Sequence, residues 1–444
     1  MTDLRQRLDE LRDLGLYRRM RMVSGPQGPR VLLDGKPVLL LCSNNYLGLA
    51  DHPRVREAAA EAAMRWGVGA GASRLVSGTM TIHRRLEERL AGFEGTEACL
   101  LFGSGYMANL GVISALAGRE EVVFSDALNH ASIVDGCRLA RAETFVYNHC
   151  DTEHLEWGLR QADRRGALIV TDSVFSMDGD LAPLAELVEL AHRYDVRLVV
   201  DEAHATGALG PGGRGAVAAA GLEGEVDVVV GTLGKALGSY GAYVCCDTEI
   251  AQFLVNTSRP LIFSTAPPPP AVAGALAALE LVLEQPRRVE RLQAAADHLR
   301  RQLTVAGLPP PTSSTQIIPL VIGDASMTVA VCEAALARGV FAQAIRPPTV
   351  APGTSRLRLA VMASHTPGEL ARAAQAIAAA VREAGAEIQP PAVAIPLSPQ
   401  IASGEPAHRE SARPDPGRDA SVASSRSASP ALFDFESEPV SRAA

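Results

Sequence analysis

Asp201, His204 and Lys235 are the side chains of this sequence best spaced to do chemistry together. Asp201 follows the apolar run Leu198-Val199-Val200 directly, and a carboxylate there is costly unless it meets a cation. His204 comes three positions on, in Asp201-Glu202-Ala203-His204. Lys235 lies in Gly231-Thr232-Leu233-Gly234-Lys235-Ala236-Leu237-Gly238, just after the apolar run 226–230. Of the 42 basic side chains only Lys36 and Lys235 are lysine. Arginine replaces lysine on a solvated face, but a guanidinium stays charged, so only an amine can form a Schiff base and then move protons. Lys36 belongs to the polar turn Asp34-Gly35-Lys36-Pro37 and reads as an ordinary surface residue. A tunable amine, a carboxylate and an imidazole are the groups that carbanion chemistry requires.

Such residues need a scaffold that brings strand ends side by side. Short β-rich runs at 98–102, 122–125, 144–147, 167–171, 197–200, 226–230 and 241–245 alternate with helical patterns such as 181–194. That alternation predicts an α/β fold: a mostly parallel seven-stranded sheet with helices on both faces and its ligand at the carboxyl ends of the strands. Beyond Pro267-Pro268-Pro269-Pro270 a long helical stretch, 271–306, precedes strand-like 316–322, helical 326–338, strand-like 356–361 and helical 367–384, the pattern of a smaller C-terminal α/β domain. The expected organisation is an N-terminal arm and helix (1–40), a large domain (41–270), a small domain (271–387) and a disordered tail (388–444). The tail is rich in Pro, Ser, Ala and charge, with one apolar cluster, Ala431-Leu432-Phe433-Asp434-Phe435.

Composition excludes several classes. A net charge of −8 without a basic block argues against nucleic acid or an anionic membrane as partner. The longest apolar stretch, 271–283, is interrupted by Glu280 and is too short to span a bilayer. The N-terminal Thr2-Asp3-Leu4-Arg5-Gln6-Arg7-Leu8 reads as a charged amphipathic helix without the apolar core of a signal peptide, so a cytoplasmic location is expected. Seven cysteines without C-x-x-C spacing predict reduced structural thiols and no metal. Asp201-Glu202-Ala203-His204 also spells a helicase box, but neither lysine stands in G-x-x-x-x-G-K-[ST]. Gly103-Ser104-Gly105-Tyr106-Met107-Ala108, after a strand and opening a helix, fits a dinucleotide fingerprint and keeps a nicotinamide-dependent dehydrogenase as an alternative. Its physics is broader, because such a helix start accepts any phosphate.

One cofactor unites the three residues. Pyridoxal phosphate carries a ring nitrogen that a carboxylate such as Asp201 keeps protonated, an aldehyde that Lys235 can hold as a Schiff base, and a phosphate. Leu198-Val199-Val200-Asp201-Glu202-Ala203-His204-Ala205-Thr206-Gly207 followed by Gly231-Thr232-Leu233-Gly234-Lys235 resembles the α-oxoamine synthase family of fold-type I pyridoxal-phosphate enzymes. So do Cys42-Ser43-Asn44-Asn45-Tyr46-Leu47-Gly48-Leu49, Ser73-Arg74-Leu75-Val76-Ser77-Gly78, Asn129-His130-Ala131-Ser132 and Val174-Phe175-Ser176-Met177-Asp178-Gly179-Asp180.

The resemblance implies that Lys235 bonds the cofactor, Asp201 pairs with its ring nitrogen and His130 stacks on the ring. It sets His204 and Ser176 near the ring oxygen, and Gly105, Tyr106 and Thr232 at phosphate and ring contacts. Arg358, in Arg356-Leu357-Arg358-Leu359, with Asn44 nearby, matches the grip on the amino-acid carboxylate. Family members condense an amino acid with an acyl thioester and lose CO2. The segments Gly15-Leu16-Tyr17-Arg18-Arg19, 258–265 and Ile345-Arg346-Pro347-Pro348-Thr349-Val350 resemble the branch that joins L-alanine to a pimeloyl group carried on coenzyme A or acyl carrier protein. Arg18, Arg19, Arg346 and Thr349 are then candidates for the acyl side. Glycine with acetyl-CoA is the alternative within the family. A homodimer is also implied, with 69–78 crossing between subunits.

Overall fold

Apolar runs buried on both faces become the strands of the main sheet in a computed structural model that describes residues 3–389. The expected tail, with its Phe433 and Phe435, lies outside the described residues except for residues 388 and 389. The seven strands lie in the order Ala98–Phe102, Ala242–Cys246, Val228–Thr232, Arg197–Asp201, Gly166–Asp172, Val122–Asp126 and Glu143–Tyr147. Only Ala242–Cys246 runs antiparallel to its neighbours. Side chains alternate along each strand: Leu198 and Val200 enter one hydrophobic cluster with Leu187 and Leu279, while Val199 enters another with Val112, Ile133 and Leu254. Each such side chain contributes roughly 1.5–3 kcal/mol on burial, and burial on both faces fixes the register.

The run 226–230 becomes Val228–Thr232, two residues later than the sequence suggests. Asp227 is drawn out of the strand because its carboxylate accepts the Leu198 N–H at 2.7 Å. The strand therefore ends at Thr232, and Lys235 falls in the turn just beyond it. Gly231 is required at its place: a Cβ there would come within 2.1 Å of the ring of Tyr243, which is fully buried on the neighbouring strand.

The expected long helix 271–306 is two helices, Pro269–Glu284 and Arg287–Val305, because Pro286 cannot donate into a continuous helix. Lys36 is not in the turn but opens the strand Lys36–Leu40, opposite Leu33. Asp34 and Gly35, both at positive φ, make the turn. That strand also pairs in parallel with Val340–Phe341. A three-stranded antiparallel sheet, Ile317–Gly323, Ser355–Ala360 and Gln343–Ile345, has Ser355–Ala360 in its centre. Backbone bonds tie this central strand to the segment before the first large helix: Ala360 N–H to the Leu41 carbonyl at 2.8 Å, and Ala363 N–H to that of Tyr46 at 2.7 Å. Residues 41–46 and Arg358 are thereby held in one frame.

A partly buried ion cluster anchors the loop that follows Asp172. His149 lies between Asp126 (2.9 Å) and Asp180 (2.6 Å), with Phe175 edge-on at 4.4 Å between centroids. Burial opposes charge on this ring, but hydrogen bonds to Asp126 and Asp180 outweigh it and raise its pKa to about 12. Asp126, His149 and Cys150 bring three potential metal ligands within 4.8 Å of one another, yet both ring nitrogens are already engaged by carboxylates. His149→Gln removes the charge facing buried Asp126 and is expected to cost about 3 kcal/mol in urea unfolding near neutral pH. The native pKa lies above the unfolded value near 6.5, so this stabilisation is complete below about pH 6.5 and is lost progressively as pH rises toward 12. The gap between wild type and variant should therefore narrow as pH rises across that window. A gap independent of pH would mean that His149 is neutral.

Candidate active site

Two carboxylates stand side by side at the carboxyl ends of adjacent strands. Asp172 and Asp201 are direct cross-strand partners, and both are buried. Asp201 accepts the Asn109 amide at 2.7 Å and the Ala203 N–H at 2.8 Å. Asp172 accepts the His130 N–H at 2.7 Å. Burial, and then the charge of Asp201, push the Asp172 carboxyl well above the usual carboxylate range. Both partners of Asp201 are neutral, and among the described residues no Lys, Arg or His lies within ion-pair distance of it.

A hydrogen-bonded chain runs alongside. Lys235 Nζ is 2.8 Å from His204 Nε2, and His204 Nδ1 is 2.7 Å from the Tyr46 hydroxyl. Tyr46 in turn donates to Asn44 Oδ1 at 3.1 Å and accepts from Arg358 Nη2 at 3.4 Å. Arg358 also donates to Asn44 Oδ1 (3.3 Å) and to the Ser176 carbonyl (2.5 Å). Arg356, one strand pitch away, is instead taken up by Asp178. Burial, aided by Arg358, lowers Lys235 to about 8 against the pull of Asp201 and Asp172. Burial, then Lys235 and Arg358, hold the His204 imidazole well below its ordinary value.

These groups fit pyridoxal phosphate. Asp201 is a buried carboxylate with neutral donors and room in its charge balance for one cation, which a protonated pyridine nitrogen supplies. Lys235 is half-buried, with an amine that loses its proton near neutrality. The helix Gly105–Leu116 starts at the carboxyl end of Ala98–Phe102, with Ser104 capping Met107, so the N–H groups of Gly105 and Tyr106 have no helical acceptor. A phosphate is the anion such a terminus favours. The His130 ring is exposed at the start of Ala131–Ala140, its Nδ1 held by Ser132 at 2.7 Å and Tyr106 edge-on at 6.3 Å.

The remaining expected residues divide. The Thr232 hydroxyl spans its own turn, donating to Gly241 and accepting from Gly234, and Ser176 contributes its carbonyl rather than a hydroxyl. Arg18, Arg19, Arg346 and Thr349 form a separate group, joined by no hydrogen bond to the Lys235 chain among the described residues. Arg18 donates to the Pro347 carbonyl at 2.9 Å and Arg346 to that of Gly15. Thr349 is exposed, and Arg19 makes a loose 3.9 Å pair with Glu333. Sequence reasoning overlooked Tyr46, Asn109 and Asp172. Asp172 carries the same signal as Asp201, a carboxylate straight after an apolar run. Asn109 is an amide inside an otherwise apolar helix, and Tyr46 was hidden inside a quoted motif.

The chain is similar to several known proteins. Residues 36–377 match the family model for aminotransferase class I and II. An 8-amino-7-oxononanoate synthase of Geobacter sulfurreducens is 52% identical over 85% of this chain and 97% of its own. That of Citrifermentans bemidjiense is 52% identical over 84% and 97%. Among solved structures, SPT with its pyridoxal-phosphate internal aldimine superposes with a TM-score of 0.82 at 35% identity, over 86% of this chain and 98% of that one. The 8-amino-7-oxononanoate synthase from Francisella tularensis gives 0.68 at 26%, over 78% and 98%. This chain belongs to the class I and II aminotransferase family of pyridoxal-phosphate enzymes, in the α-oxoamine synthase branch that includes the 8-amino-7-oxononanoate synthases.

Proposed function

We propose that this enzyme joins L-alanine to a pimeloyl thioester, forming 8-amino-7-oxononanoate, CO2 and the free thiol in biotin synthesis. The observation that carries the reading is the Arg358–Asn44 pair set one hydroxyl away from the Lys235–His204 pair, which puts a carboxylate grip beside a base. When bound, pyridoxal phosphate supplies a protonated ring that draws off the electron pair left at the substrate's α-carbon.

The chain's own residues do the rest. Arg358 and Asn44 bind the alanine carboxylate, and a planar guanidinium fixes its orientation as well as its charge. Orientation selects the Cα–H bond for cleavage. Lys235 takes that proton, which its lowered pKa of about 8 permits at neutral pH. A bond then forms between Cα and the thioester carbonyl carbon, the thiolate leaves, the alanine carboxylate departs as CO2, and Lys235 returns a proton to Cα. His204, beside Lys235, polarises the thioester carbonyl. Asp201 and His130 would hold the cofactor's ring, Asp201 supplying the negative charge that would keep its nitrogen protonated.

Arg18 and Arg346 are assigned to the far end of the acyl chain. Neither meets a carboxylate among the described residues, and burial, followed by the charge of Arg18, lowers Arg346. A terminal carboxylate would give both guanidinium groups a counter-charge. Thr349 borders the same group through its N–H to the Arg346 carbonyl at 3.1 Å. A homodimer is supported by the apolar side chains exposed around 64–76: Met64 at 89%, Val68 at 80% and Val76 at 79% are too many for a free surface.

Purified wild type should be yellow, with a visible band that borohydride removes and that Lys235→Ala lacks. Thiol release across alanine, glycine and serine with pimeloyl, acetyl, succinyl and palmitoyl thioesters should favour alanine with pimeloyl. A preference for glycine with acetyl-CoA would move the assignment to another member of the branch. Arg358→Lys, which keeps the charge but loses the fork, should lower kcat/KM for alanine on the order of a hundredfold. The yellow band should persist in that variant, and unchanged kinetics would remove Arg358 from the site. Sedimentation should give twice the chain mass, and Val76→Asp should shift it toward the single chain.

A further inference from the structure

Asn109 is a polar residue that packing alone does not call for. It is buried in the mostly apolar helix Gly105–Leu116, and its Oδ1 has no hydrogen-bond partner among the described residues. Buried amides rarely bear that cost. The orphan follows from how the two Nδ2 hydrogens are used. One goes to Asp201 Oδ2 at 2.7 Å and the other to the buried Ser132 Oγ at 2.9 Å. A carboxylate only accepts, so turning the amide round would set lone pairs against each other at Asp201.

The next bonds can be directed in the same way. The Ser132 N–H, which can only donate, points to His130 Nδ1 at 3.3 Å and makes that nitrogen the N-cap acceptor of the helix Ala131–Ala140. Nδ1 is therefore a lone pair. The Ser132 hydroxyl lies 2.7 Å from the same nitrogen and already accepts from Asn109, so its hydrogen goes to Nδ1. A neutral ring then carries its one hydrogen on Nε2.

We propose that Asn109 and Ser132 are positioning residues that lock His130 as a neutral ring with its hydrogen on Nε2 and tie that ring to the carboxylate of Asp201. Protonating Nδ1 would break both bonds from Ser132. A second cation against the protonated ring of the cofactor is thereby avoided, while Nε2 keeps an N–H to offer a ligand. The inference rests on the hold on the cofactor ring given to His130 above. The titratable groups that face His130 are Asp201, Asp172, Lys235, His204 and Tyr106, and none of them bonds Nδ1.

Nitrogen-15 spectra of labelled histidine in the full chain stripped of cofactor test this, with His130 assigned by its loss in His130→Gln. They should show Nδ1 as a bare acceptor and Nε2 protonated. Ser132→Ala keeps the backbone donor but removes the hydroxyl, so the neutral form loses stabilisation and the titration midpoint of His130 should rise by about one pH unit. Asn109→Leu takes away the donor behind the hydroxyl and should raise the midpoint by less. Ser132→Cys, with a weaker donor, should fall between wild type and Ser132→Ala, and it carries the same test should the alanine variant not fold. A role confined to packing would leave the midpoint in place. The pyridoxal-phosphate dissociation constant of Ser132→Ala, divided by that of wild type, should grow about two- to fivefold as pH falls from about 8 to about 6, because a charged His130 must lose its proton on binding. An Nδ1–H ring in wild type, or a midpoint that stays or falls in Ser132→Ala, overturns the proposal. A raised midpoint with a ratio independent of pH supports the lock and counts instead against the placing of His130 on the cofactor ring.

Discussion

The pairing of Asp172 with Asp201 across two neighbouring strands is the constraint on which this molecule turns. Two buried carboxylates in register repel, and a fold built for stability alone would place apolar side chains there. The repulsion is managed by making the pair unequal. Asp172 is pushed toward its neutral form and accepts a backbone N–H, whereas Asp201 receives two neutral donors and stays short of a cation. An unsatisfied negative charge at a strand end is what a cationic heterocycle needs in order to bind and remain protonated. The local cost of the carboxylate is thus tied to occupation of the site.

Everything else is arranged around that charge by two independent frameworks. The parallel strands deliver Asp126, Asp172, Asp201 and Thr232 to one edge of the sheet, so the cofactor side depends on strand lengths and on the turn that carries Lys235. Arg358 comes instead from the middle of a separate three-stranded sheet, stitched to residues 41–46 by backbone bonds. The loop 173–181 joins the two frameworks, because its Ser176 carbonyl holds Arg358 while His149 anchors its far end at Asp180. The position of Arg358 therefore depends on a histidine that it does not touch.

The parts legible in the sequence are those governed by local patterns. Apolar alternation located all seven strands, and the carboxylate after Val200 located Asp201. The register error at 226–230 arose because Val226 and Asp227 fit a strand locally, while the pull of Asp227 toward Leu198 is a contact between distant segments. The four-stranded sheet that joins 23–40 to 340–341 left no trace for the same reason. At the site, Lys235, His204, Asp201, Asn44 and Arg358 stood out by type and setting. Tyr46 and Asn109 did not, since a buried tyrosine and a helical asparagine look like packing until their partners are seen. Arg18 and Arg346 remain intermediate cases: the fold brings both to the same segment, but their meaning depends on a ligand.

The scarcity of lysine acquires a physical sense from the contrast between residues 235 and 358. Both lie on one hydrogen-bonded chain through His204 and Tyr46, yet their chemistry differs. A guanidinium stays charged in proteins and its planar fork matches a carboxylate, which suits the role proposed for Arg358. An ammonium under the same burial gives up its proton near pH 8 and becomes a nucleophile and a base. Exchanging the two would leave a permanent charge where a proton must move and a titrating group where an anion must be gripped. Basic side chains elsewhere serve as well in either form, so composition can drift toward arginine until only Lys36, on the surface, and Lys235 remain. Of the two, Lys235 alone sits in the hydrogen-bonded chain with His204.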